Sequence, residues 1–254
     1  MYKEPFLDQG PEQIWTHYAT PFQSKGLAIY GFDLVVVPYG VIDWSTKFYP
    51  SFDYLLFAIL GNTIALQIAH HFDAIGIYYV NGTSNVKKAA LIGDDVTSSN
   101  FEDYIDCQRS NLYHGSKTMI LPSTGQTVIY EIPRLTLNER LSEIMGLRLT
   151  YDTLNRLRSN KEVLLPWLKL SVDQLFYLTY AQMHCTKSSL TSSYVSLYED
   201  AQLPSRIQIF VSASNSKLLG EAWNCRDGSQ ISPSFMCNTF PYLESDETKS
   251  VSTM

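Results

Sequence analysis

Ile64-Ala65-Leu66-Gln67-Ile68-Ala69-His70-His71-Phe72-Asp73 is the stretch on which the reading of this chain turns. It closes a run from Tyr54 to Phe72, 19 residues without Asp, Glu, Lys or Arg. That length would let a helix span a bilayer. The second half, however, carries Asn62, Thr63, Gln67, His70 and His71, and such groups are costly in hydrocarbon without partners. The run is therefore expected to be a buried helix rather than a transmembrane one. Two adjacent His at a helix end have an ordinary reading as a cap or a surface pair, so the stretch must be weighed against the rest of the chain.

The composition fits an ordinary folded protein. A length of 254 residues suits one large domain or two small ones and is ample for a core. With 45% apolar and 17% charged residues, the chain is neither disordered nor collagen-like. Twenty-five acids against 19 bases give a net charge of −6, which argues against a nucleic-acid-binding face. Aromatics reach 13%, 17 of them Tyr, so the interior is expected to be rich in rings. The four cysteines, Cys107, Cys185, Cys225 and Cys237, form no C-x-x-C pair, so neither a zinc ribbon nor a thioredoxin site is suggested. The opening Met1-Tyr2-Lys3-Glu4-Pro5 lacks the basic start and apolar run of a signal peptide.

Working outward, residues 1–26 read as a loose lead-in rich in Pro, Gly and polar groups. Val35-Val36-Val37 reads as a short strand stopped by Pro38 and Gly40. Residues 74–98 read as surface loops; within them Asn81-Gly82-Thr83 is a glycosylation sequon, meaningful only if the chain is exported. Asn100 to about Gln108 is predicted to be helical, with Ser99 as its cap. From Leu137 to Arg158, Leu141, Ile144, Met145, Leu147, Leu149, Tyr151, Leu154 and Leu157 recur largely at three- and four-residue steps, which predicts an amphipathic helix. Ser171 to His184 is another predicted helix, with Ser171 as cap, and Asn215 to Asn224 a third. Arg206 to Ser212 alternates as a strand does. Residues 241–254 form a polar tail, expected to be disordered. The fold class is mainly α with short strands.

Two further stretches stand beside the first. Thr136-Leu137-Asn138-Glu139-Arg140-Leu141-Ser142-Glu143 sets Glu139 and Glu143 four apart on one helix face, ordinarily a pair of solvated acids. Asp200-Ala201-Gln202-Leu203-Pro204-Ser205-Arg206-Ile207-Gln208 reads as a loop entering a strand.

In their order and framing, the three resemble the C-terminal catalytic part of the neprilysin/endothelin-converting family of zinc metallopeptidases. That family carries H-E-x-x-H-G-F-D on one helix, T-L-G-E-N-x-A-D on a second, and D-x-H-x-P followed by an Arg in a later loop. Placed on this pattern, Leu66 takes the first zinc His, Gln67 the general-base Glu and His70 the second zinc His; Phe72-Asp73 match F-D. Thr136-Leu137 match T-L, Glu139 takes the third zinc ligand, and Glu143 stands where the supporting Asp would be. Asp200 and Pro204 frame the third motif, with Gln202 in place of its His and Gln208 in place of its Arg. Other landmarks keep the family's order. They include Val36-Val37-Pro38-Tyr39-Gly40-Val41-Ile42, Ser99-Asn100-Phe101 before Cys107, and Leu164-Leu165-Pro166. Gln174-Leu175-Phe176, Ala181-Gln182 with Cys185, and Glu221-Ala222-Trp223-Asn224-Cys225 with Pro233 and Cys237 continue it. The resemblance covers residues 27–240 and implies a zincin-like (thermolysin-like) peptidase domain, truncated at its N-terminal side.

The departures have a physical meaning. H-E-x-x-H works because residues four apart share a helix face, so two imidazoles grip one Zn²⁺ while the Glu takes a proton from metal-bound water. Leu66 offers no lone pair, and the Gln67 amide accepts no proton near neutral pH. Shifting the register does not help, because Gln67 stands four residues before His71. His70 and Glu139 remain as ligand candidates, one short of the three protein ligands a catalytic zinc usually has. Zinc is thus expected to be absent or weakly bound. Gln202 donates a hydrogen bond without charge. Arg206, two residues from Gln208, would share its face on a strand and compensate in part. The family's substrate-holding N-A-x-Y falls on Leu27-Ala28-Ile29-Tyr30, so Leu27 and Ala28 occupy the peptide-clamp positions without the Asn amide.

Three readings of function follow. One is a catalytically inactive homologue that works by binding a peptide or protein partner. A second is an altered hydrolase using His70, Glu139 and either His71 or Glu143. The third is a truncated product, since the resemblance implies an N-terminal helical lobe outside this chain. The family's catalytic part lies outside the cell, so an extracellular or membrane-associated location is implied although no export signal is seen. The resemblance also implies a Cys107–Cys237 disulfide, with Cys185 and Cys225 left without their usual partners.

Overall fold

The computed structural model describes residues 15–48, 52–80, 83–84, 95–110, 116–120, 125, 127–131, 136–158, 164–189, 192, 195 and 204–237. The chain divides into two compact units, residues 1–85 with 145–183, and residues 86–144 with 184–254.

The first unit begins with apolar strand residues folding back on themselves. β1 (Leu27–Ile29) pairs antiparallel with β2 (Leu34–Val36), Ala28 facing Val35. The link is a 3-10 turn, Tyr30–Phe32, followed by Asp33 in the left-handed region, φ 48°. Ala19, Ile29 and Val36 form a buried cluster with Leu27, Phe32 and Leu34 around it, so part of the lead-in is packed on the hairpin. Gly40, at the start of α1 (Tyr39–Phe48), lies where an added Cβ would come within 2.6 Å of the Gln23 carbonyl oxygen, a space only glycine leaves. The predicted buried helix is present, but in three parts: α2 (Asp53–Leu56), a π-turn (Phe57–Gly61) and α3 (Asn62–His70). Tyr54, Leu55, Ala58, Ile59, Ala65 and Ala69 are buried along it. α6 (Val172–Met183) packs on α2 and the π-turn, while α3 packs on β1 and β2. Tyr151 brings its ring within 5.4 Å of Phe176 and 5.3 Å of Tyr177, completing an aromatic core. The expected Ser171 cap is there: its Oγ accepts from the Gln174 backbone at 3.2 Å and Gln174 Oε1 accepts from the Ser171 N–H at 3.0 Å, a reciprocal capping box. Within the expected loop region the chain forms a small hairpin, β3 (Tyr79–Val80) with β4 (Thr83–Ser84).

The second unit holds α4 (Asp95–Ser110), whose Phe101, Tyr104, Ile105 and Gln108 are buried at three- and four-residue steps. This helix starts before Ser99, so that residue lies inside it rather than capping it. The unit also contains an antiparallel hairpin of β5 (Ser116–Ile120) and β6 (Thr127–Glu131), which sequence patterning did not reveal. The first two turns of α5 (Leu137–Leu157) belong here; the boundary between units falls after Ile144. The expected strand at Arg206–Ser212 is instead a helix, α7 (Ser205–Ser214), and α8 (Lys217–Ala222) follows, capped by Ser216 Oγ at 3.2 Å from the Leu219 N–H. Cys107 and Cys237 are joined, and Cys185 and Cys225 form no disulfide, as the resemblance implied. Among the described residues no helix is long and apolar enough to cross a membrane. The polar tail, residues 241–254, lies outside the described residues.

Candidate metal centre

In the first unit, α3 presents Leu66, Gln67 and His70. At 100° per residue, Leu66 and His70 share a face. The imidazole is held firmly. His70 Nδ1 lies 3.1 Å from Asp73 Oδ2, and the Tyr30 hydroxyl donates to the same oxygen at 3.0 Å. Asp73 Oδ1 accepts the backbone N–H groups of Ile75 and Gly76 at 2.8 and 2.6 Å. This carboxylate is wholly buried and its oxygens are fully engaged. Tyr30 is fixed in turn, stacked on Tyr79 with ring centroids 5.6 Å apart and in edge contact with His71 at 5.8 Å. A carboxylate at Nδ1 selects the tautomer with its lone pair on Nε2, the arrangement usual for a metal-ligating His.

The rest of the helix does not complete a zinc site. Leu66 offers only hydrocarbon on the His70 face. Its backbone is met closely by α5: a Cβ added at Gly146 would come within 2.9 Å of Leu66 N and Cα. Gln67 is 8% exposed, and its Cγ would lie 2.8 Å from a Cβ at Gly26. The side chain at the base position is therefore tucked beside the entry to β1. The donors on this helix do not fit a catalytic zinc. Among the described residues, no group of three or more His, Cys, Asp or Glu is arranged to hold a metal ion. Leu27 and Ala28 lie half-buried on β1.

In the second unit, Glu139 is half-buried in the first turn of α5. Glu143, one turn on, is not the solvated acid its spacing suggested, being 1% exposed. Its Oε2 accepts from Gln208 Nε2 at 2.7 Å, and its Oε1 lies 3.8 Å from His184 Nε2. Two positions separated by 65 residues, both singled out from sequence, thus meet. Because α7 is a helix, Arg206 and Gln208 are about 200° apart around it rather than on one face. Arg206 is exposed while Gln208 is half-buried, so Arg206 does not substitute for it. Arg140 is fully buried, and burial lowers its guanidinium to about 10, leaving it charged at neutral pH. Asp200 and Gln202 lie outside the described residues. The residue that sequence reasoning missed is His184; no spacing signal could have joined it to Glu143, 41 positions earlier in the chain.

Comparisons with known proteins converge. Residues 28–239 match the model of Peptidase family M13. Neprilysin-3 of Drosophila melanogaster is 25% identical over 214 residues, which are 81% of this chain and 25% of that protein. Endothelin-converting enzyme 1 of Homo sapiens is 36% identical over 109 residues, 42% of this chain and 14% of that one. The fold resembles that of the zinc metalloprotease ZMP1 of Mycobacterium tuberculosis, solved with an inhibitor. The TM-score is 0.66 at 19% identity, covering 87% of this chain and 33% of the other. This chain therefore spans about a quarter of the length of the neprilysin it matches.

Proposed function

The chain belongs to Peptidase family M13, and from that membership we propose that it is a peptidase homologue without zinc-dependent cleavage, acting by binding a peptide or protein partner. The observation that carries this reading is α3: His70 is oriented like a metal ligand, yet the residue four positions back is Leu66 and the base position holds Gln67. A general base typically contributes 10²–10⁴-fold in rate, and an oxyanion donor about 10²–10³-fold. Loss of the base, together with an uncharged Gln202 in place of the family's oxyanion His, leaves too little catalysis for a useful peptidase.

Two features support binding. Among the described residues β1 and β2 pair only with each other, so their outer edges offer backbone groups to an extended peptide. The fixed Tyr30–Asp73–His70 network keeps that part of the unit rigid. The Cys107–Cys237 bridge fits an oxidising compartment outside the cytosol, in keeping with an extracellular or membrane-associated place. A separate helical lobe remains a candidate partner.

The test uses the full chain. Purified protein is expected to carry zinc well below one ion per chain, to leave a peptide library uncut, and to bind members of that library saturably. Stoichiometric zinc with cleavage abolished by a chelator overturns the loss of activity. Absence of saturable binding overturns the proposed mode of action.

A further inference from the structure

The connection between α5 and α6 sets apolar side chains on the outside of the first unit. Leu157, at the end of α5, is 69% exposed, and Trp167 is 76% exposed with Leu164 and Leu168 exposed beside it. Single exposed apolar residues are ordinary, but several gathered in one connection mark an interaction site. The Leu168 N–H donates to the Leu165 carbonyl oxygen at 3.2 Å, closing a turn with Pro166 and Trp167 at its two central positions. Pro suits the first of these because its φ is preset. Leu165 and Leu170 are half-buried and anchor the turn, so Trp167 stands at its tip.

The base under this tip is tied down. Arg158 Nη1 donates to Asp173 Oδ1 at 2.9 Å, and the Tyr151 hydroxyl donates to the same oxygen at 2.9 Å. These bonds hold the end of α5 to the first turn of α6. The capping box of Ser171 and Gln174 then fixes the point where the connection enters α6. Charge sets the patch apart from other exposed apolar residues. Residues 156–169 contain four bases, Arg156, Arg158, Lys161 and Lys169, against one acid, Glu162, in a chain of net charge −6. Arg158 is committed to Asp173, while Arg156 and Lys169 are exposed.

We propose that this connection docks on a lipid surface carrying acidic headgroups, with Trp167 and its Leu neighbours entering the interfacial layer and Arg156 and Lys169 against the headgroups. An indole favours that layer, having an apolar body and an N–H that reaches water. A projecting turn offers a protein partner no groove, whereas a fluid bilayer closes around it. The docking is peripheral, since among the described residues no helix is long and apolar enough to cross a membrane. It does not depend on the α3 residues or on whether they support cleavage.

The experiment sediments the full chain with phosphatidylcholine vesicles and with vesicles in which part of that lipid is replaced by phosphatidylglycerol. Binding is expected to be stronger to the acidic vesicles and to weaken as salt is raised, because exposed charges are screened. Each cation near an acidic bilayer strengthens association about fivefold, so Arg156→Glu with Lys169→Glu should weaken it at least about 25-fold. Trp167→Ser should weaken it about 10–100-fold, as the loss of one large buried apolar side chain does. Phe22→Ser, which removes a ring 86% exposed elsewhere on the same unit, should change little. Tryptophan fluorescence should shift to the blue on binding, and Trp167→Phe should lose that shift. Absence of sedimentation with either vesicle overturns the proposal and leaves the patch to a protein partner. Equal binding to neutral and acidic vesicles overturns it too, as do equal effects of Trp167→Ser and Phe22→Ser. Should Trp167→Ser fail to fold, the charge-reversed pair and the salt dependence decide.

Discussion

His70 keeps the hydrogen bonding of a metal ligand while its helix neighbours have lost theirs, and that contrast yields tests at single residues. Leu66→His is expected to rebuild a two-imidazole clip on α3 and to raise cobalt or zinc affinity measurably over wild type, read by equilibrium dialysis. In that background Asp73→Asn should weaken metal binding by about 10–100-fold, because the carboxylate that orients His70 is lost; an unchanged affinity would show that the carboxylate does not position the ring. This part of the site was legible in sequence, since positions 66, 67 and 70 are read directly from helical spacing. The grouping of Glu143, Gln208 and His184 was not, because it joins residues from three elements and depends on tertiary packing. The buried state of Glu143 illustrates the difference: spacing alone placed it on a solvated face, and only the packing of α7 explains why it is enclosed.

At the scale of elements, helices with a sustained apolar stripe were readable and marginal ones were not. α5 and α6 repeat their apolar residues at three- and four-residue steps, and both appear where predicted. α7 was misread because Arg206, Gln208 and Ser212 alternate with Ile207, Ile209 and Val211, a pattern that satisfies a period of two over a short window. Pro204 before its first turn and the burial of Val211 to Ser214 settle it as a helix. The π-turn at Phe57–Gly61 has no signature in an all-apolar run, where a one-residue shift changes no hydrophobic count. The crossing of α3 and α5 gives a prediction of its own. Gly146→Ala would gain up to about 1 kcal/mol of helix propensity. The new Cβ, however, meets Leu66 backbone at 2.9 Å rather than a yielding side chain, and overpacking of that kind costs about 1–3 kcal/mol. The net effect should be a lower urea midpoint. Gly31→Ala, whose Cβ would meet nothing within 4 Å, should leave that midpoint nearly unchanged, and equal behaviour of the two variants would refute the close crossing.

For the whole molecule, the family framework explains why a chain with few long strands among its described residues, and with Cys185 and Cys225 outside any disulfide, still holds together. Helical packing supplies the core of each unit, and the second unit adds a covalent tie. Cys107 and Cys237 stand 130 residues apart, and the ring they close encloses the stretch 145–183 that folds with the first unit. A crosslink acts chiefly by limiting the unfolded chain, and a ring of this size contributes about 4–5 kcal/mol in the chain-entropy account. That is comparable with the entire net stability of a small domain, about 5–15 kcal/mol. Cys107→Ser with Cys237→Ser, or reduction under native conditions, is therefore expected to lower the stability of the second unit by an amount of that order. Hydrogen exchange at α4 and α7 reads it, since both helices belong to that unit. The two cysteines outside the disulfide provide the internal control: Cys185→Ser and Cys225→Ser remove no bridge and should leave exchange at α4 and α7 within about 0.5 kcal/mol of wild type, as surface substitutions usually do. If those variants proved as destabilising as the loss of Cys107–Cys237, the bridge could not be what ties the C-terminal part of the unit to α4.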